Sequence, residues 1–97
     1  MSVPISFHAN KRMRQRGLAE ADVRALFHYA SQTAHSGNCE ILTLGAEGER
    51  ELRETGVSLQ TIDRLKRTAV VMATDTSEIV TVLKLHGATQ RRYRRQH

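Results

Sequence analysis

The sequence predicts an α+β domain: two N-terminal helices packed on a small antiparallel sheet of about three strands that ends in a β-hairpin. Three observations carry this. Val23, Leu26, Phe27 and Ala30 follow an i, i+3, i+4, i+7 spacing, the apolar stripe of a helix. Residues 68–74 and 78–85 are rich in Val, Ile, Leu and Thr and are joined by Asp75-Thr76-Ser77, the pattern of a hairpin. The length of 97 residues, 39% of them hydrophobic and 4% aromatic, supports one modest aliphatic core and a single domain over 1–97.

Each element has its own signal. Residues 2–6 read as extended, because Pro4 keeps Val3 out of the helical region. Ser6 is placed to cap a helix over 7–16, and Gly17 to end it in the left-handed conformation. A second helix over 20–31 opens with Glu20 and Asp22 at its positive end. Its cap position is Ala19, which has no side-chain acceptor, so this start is weakly specified. Leu18 can staple onto Val23. Residues 33–38 (Thr-Ala-His-Ser-Gly-Asn) read as a polar loop, and Cys39 to Leu44 as a strand. Residues 46–55 are helix-prone and charged, with Leu52 as the one large apolar residue. Ser58 caps a further short helix over 59–66, whose buried side is Leu59, Ile62 and Leu65. In the last strand, strict alternation puts Ile79, Thr81, Leu83 and Leu85 on one face, and Val80, Val82, Lys84 and His86 on the other. Both faces are partly apolar, so the sheet needs helices on one face and a cover on the other.

Charge is the strongest global signal. Fifteen Lys and Arg oppose ten Asp and Glu, giving a formal charge of +5. Twelve of the fifteen are arginine, the residue that grips phosphate bidentately and stacks on bases, which favours nucleic acid as a partner. One cysteine, Cys39, excludes an internal disulfide and fits a reducing cytoplasm. No stretch reads as a signal peptide or a membrane span. His8, His28, His35, His86 and Cys39 show no metal-ligand spacing, and no glycine-rich phosphate loop is present, so neither a metal nor a cofactor is expected.

Two basic clusters stand out. His8, Arg12 and Arg16 recur at four-residue spacing on one side of the first helix. Metal-free RNA cleavage needs a proton-transfer group and cations for the developing phosphorane charge. His8 suits the first role; Arg12 and Arg16 suit the second. The competing structural reading has the arginines bridging to Glu20, Asp22 or a strand end, and His8 capping the helix corner. The second cluster is the C-terminal tail over 88–97, where Arg91, Arg92, Arg94 and Arg95 flank Tyr93. Arginines around one aromatic can neutralise phosphate and stack on a base, and Lys11 and Arg14 extend the basic surface on the first helix. Thr81 and His86 are accessory candidates.

The pattern His8-x3-Arg12-Met13-x2-Arg16-Gly17-Leu18, then Asp22-Val23, with a late hairpin ending Ile79-Val80-Thr81-Val82, resembles a family of small bacterial proteins. That family is grouped with the RelE/BrnT-like toxins on the barnase–EndoU–colicin–RelE type of fold. The resemblance covers about 7–31 and 68–95; the middle matches only in general shape. Ala19 stands where relatives carry Ser or Pro, and Leu83 where some carry an aromatic residue nearer the threonine. The resemblance implies a toxin-type protein acting on RNA, as a metal-independent ribonuclease or a ribosome-linked RNA binder, together with an inhibitory antitoxin partner. The alternatives are a non-catalytic nucleic-acid-binding module, and a protein-interaction or inhibitor module whose basic surface meets an acidic partner.

Overall fold

The computed structural model describes residues 3–85. The basic tail, with Arg91, Arg92, Tyr93, Arg94 and Arg95, lies outside the described residues, as does His86. The order of elements is α1 (Phe7–Gln15), α2 (Glu20–Tyr29), β1 (Gln32–Ser36), β2 (Cys39–Thr43), α3 (Ala46–Glu54), α4 (Leu59–Lys66), β3 (Thr68–Ala73) and β4 (Ile79–Lys84). The four strands form one antiparallel sheet in sequence order, β1-β2-β3-β4.

The fourth strand corrects the expectation of about three. Residues 33–38, read as a loop, supply most of β1 and its turn. Among the described residues β1 is an edge strand with one neighbour, and only Ala34 in it is buried. Its Thr, His and Ser carry no apolar alternation because little of the strand meets a core. What holds it is register: Ser36 pairs with Cys39 across a two-residue turn, and Gly37 takes φ +60, as a hairpin turn with glycine in first place requires.

The predicted caps form. Ser6 Oγ accepts from the Ala9 N–H at 3.0 Å and donates to the Val80 carbonyl at 3.2 Å, so one hydroxyl starts α1 and ties it to β4. The chain before it is extended, with Ile5 bridging Ile79. Ser58 accepts from the Thr61 N–H at 3.2 Å, while Ala19 gives α2 no side-chain cap.

The main core lies between the helices and one face of the sheet. Ala9 and Met13 of α1, Val23 and Leu26 of α2, Leu52 of α3, and Ile62 and Leu65 of α4 meet Leu42, Val70, Ile79 and Val82. Burying each larger aliphatic side chain contributes about 1.5–3 kcal/mol, so this layer dominates stability. Ile79 and Val82 share that face, against the strict alternation expected for the last strand. A bulge between Val71 and Met72 shifts the register: Val71 pairs with Thr81 but Met72 with Ile79, leaving Val80 as the extra residue. A second cluster occupies the opposite face: Ala34, Ile41, Ala69, Val71 and Leu85, with Cys39, Val80 and Leu83 against it. None of the four helices contributes to it. No helix among the described residues is long and apolar enough to cross a membrane.

Candidate phosphate site at the end of the first helix

Helix α1 delivers its last cation to a cavity. The helix closes with Arg16 as C-cap, Gly17 at φ +66, and the Leu18 N–H returning to the Met13 carbonyl at 2.9 Å. This reversal needs a residue without a Cβ penalty at Gly17, and it buries Leu18. Arg16 and Leu18 thereby become one wall of a cavity of about 220 Å³.

The other walls come from far along the chain. α4 ends with Arg64 near its C-terminus and Arg67 as cap, and Thr68 begins β3 immediately after. Thr68 is buried, and its hydroxyl donates to the Arg64 carbonyl at 2.9 Å. Lys84, at the end of β4, pairs in register with Thr68, and the Leu85 N–H donates to the Arg67 carbonyl at 2.7 Å. Strand pairing thus brings Lys84 beside the end of α4. Arg16, Arg64, Arg67 and Lys84 all line the same cavity, with Leu18 and Thr68.

The four cations are not equivalent. Arg67 is paired with Asp63 one helical turn away, and Arg64 stands 3.9 Å from Asp22. Arg16 and Lys84 have no carboxylate partner among the described residues. The Nε of Arg16 is closed off from solvent without a hydrogen-bond partner among the described residues. A buried donor left unpaired costs roughly 1–3 kcal/mol. Helix dipoles explain part of the clustering, because α1 and α4 both end here and helix C-termini attract cations. They do not explain Lys84, which ends a strand. Two C-termini carry roughly −0.5 charge each, too little to cancel Arg16 and Lys84, so the cavity stays cationic.

The other predicted residues lie elsewhere. His8 is exposed in the first turn of α1. Eight residue steps separate it from Arg16, about 12 Å along the axis, and it does not line the cavity. Arg12 is half-buried and donates to Gln15 at 3.3 Å, and Lys11 and Arg14 are exposed on the same helix. Of His8, Arg12 and Arg16, the fold brings only Arg16 into the cavity. The carboxylates expected to bridge to α1 are used by other arginines, Glu20 by Arg24 and Asp22 by Arg64. Arg64 and Arg67 sit at a helix C-terminus, where the dipole alone is sufficient reason for cations, and Lys84 carries no local signal of a site.

Among the described residues no group of three or more His, Cys, Asp or Glu is placed to hold a metal ion. Compared with family models, with curated proteins and with solved structures, the chain finds no match in any of the three.

Proposed function

We propose that this chain is an RNA-binding protein of the RelE/BrnT-like toxin type, and that Arg16, Arg64, Arg67 and Lys84 form its phosphate contact. The observation that carries the reading is the convergence of four cations from three separate elements on one cavity, two of them without a carboxylate partner among the described residues. The helix motif around Arg12, Arg16 and Gly17 supports the class. Arginine and lysine donors at a partly enclosed site suit phosphate oxygens, and the +5 charge of the chain favours encounter with a polyanion.

Binding is favoured over cleavage. The described cavity lining holds cations, a leucine and a threonine, and no histidine, carboxylate or cysteine. His8 is the cleavage candidate, and it stands away from this lining.

Titration of single-stranded RNA across a salt series tests the reading. Arg16→Gln and Lys84→Gln should each weaken binding and reduce the log–log salt slope by roughly 0.7, the value for one phosphate contact on a single strand. Slopes identical to that of the parent in both variants would remove the cavity from the interface. Incubation with RNA in EDTA separates the ribonuclease: cleavage lost in His8→Ala and kept in Cys39→Ala supports an enzyme.

A further inference from the structure

We propose, resting on the RNA-binding reading, that the cavity between Arg16 and Lys84 takes the terminal phosphate monoester of an RNA strand, in preference to a phosphodiester within it.

Three features point to a chain end. The first is charge. Asp22 and Asp63 offset Arg64 and Arg67, which leaves Arg16 and Lys84 and a formal charge of +2. An internal phosphodiester brings one negative charge. A phosphate monoester brings about −1.5 to −2 at pH 7 and three free acceptor oxygens. The site stays net positive after the two helix C-termini are counted, and the monoester supplies it with the larger negative charge and a third acceptor oxygen.

The second is shape. The cavity is more enclosed than the grooves at Phe7–Glu20 and at Glu49–Lys66. An internal phosphate must enter with chain leaving on both sides, which the more open grooves accommodate better than this cavity. At about 220 Å³ the cavity lies below the roughly 300–1,000 Å³ of sites that enclose a whole drug-sized ligand. It has room for a phosphate and the start of the sugar that bears it.

The third is the donor set. Thr68 cannot donate to the ligand, because its hydroxyl hydrogen goes to the Arg64 carbonyl. The donors left in the described lining are the guanidinium and ammonium groups of Arg16, Arg64, Arg67 and Lys84. These gain most from the more highly charged anion.

One short unstructured RNA prepared with a 5′-phosphate, with a 3′-phosphate, or with hydroxyls at both ends tests this on the intact protein. One of the two monophosphorylated forms should bind roughly tenfold tighter than the hydroxyl form, as one further charge-assisted hydrogen bond provides. The preference should shrink in Arg16→Gln and Lys84→Gln, and below about pH 6, where the monoester takes up its second proton. Inorganic phosphate should abolish the preference and leave the weaker binding in place. Equal binding of all three RNAs by the parent protein, with salt-dependent binding retained, would overturn the end-recognition proposal alone. No binding of any of them would overturn the RNA reading beneath it.

Discussion

Arg16 and Lys84 line one cavity although they come from opposite ends of the described chain, and neither has a carboxylate partner there. Two uncompensated cations at one site repel each other, and the fold bears that cost. Lys84→Met should therefore keep or raise the melting temperature at low salt. The difference from the parent should close as salt rises, because the screening length falls from about 30 Å at 0.01 M to about 3 Å at 1 M. The size should stay within about 1 kcal/mol, as for exposed charges generally. Thermal unfolding at two salt concentrations measures it. An equal loss at both would mean that the lysine stem stabilises the fold by packing.

Gly48 lies in α3 against the backbone of α2. A Cβ there would overlap the Tyr29 carbonyl oxygen and approach Leu44 Cδ1 to 2.9 Å. Gly→Ala in a helix normally gains about 1 kcal/mol. Here the sign should reverse, with Gly48→Ala costing about 1–3 kcal/mol by overpacking. Urea unfolding decides it, and a more stable variant would show that α3 is free to move outward.

Thr43 is buried at the end of β2, and its Oγ1 has no hydrogen-bond partner among the described residues. Valine keeps the branched shape and removes the stranded hydroxyl. Thr43→Val should stabilise the protein by about 1 kcal/mol, the lower end of the penalty for an unpaired buried polar group. A destabilised variant in denaturant titration would mean that the hydroxyl has a partner in solution.

Helix α2 begins at Glu20 behind Ala19, which already has the extended backbone of a cap residue (φ −82, ψ 153) but no acceptor to offer. Ala19→Ser should add about 1 kcal/mol, the usual value of a side-chain cap. Serine at this exposed position touches little else, so no gain in the unfolding midpoint would place the weakness of this start outside its cap.

Much of the fold was legible because its signals are local. The stripe Val23-Leu26-Phe27-Ala30, the caps Ser6 and Ser58, and the aliphatic runs of β3 and β4 each depend on residues within a few positions of one another, and all form where expected. β1 was not legible. An edge strand that buries one alanine leaves almost no pattern, and its existence depends on β2 lying alongside. The face of Ile79 was misassigned because a bulge is a property of two strands, not of one.

The sequence by itself determined the four helices and three of the four strands, where most of them stop, and that the protein is strongly basic. It also marked Arg16, through its four-residue spacing from Arg12 and His8. Only the tertiary structure decided which cations face one another. Helical spacing grouped Arg16 with His8 and Arg12, but a helix of nine residues holds its ends apart. The pairing of β3 with β4 instead brings Lys84 beside the end of α4, and the turn after α1 sets Arg16 against them. Local spacing fixes neighbours along one element, whereas a site made from the ends of three elements exists only once the sheet and the helices above it have packed.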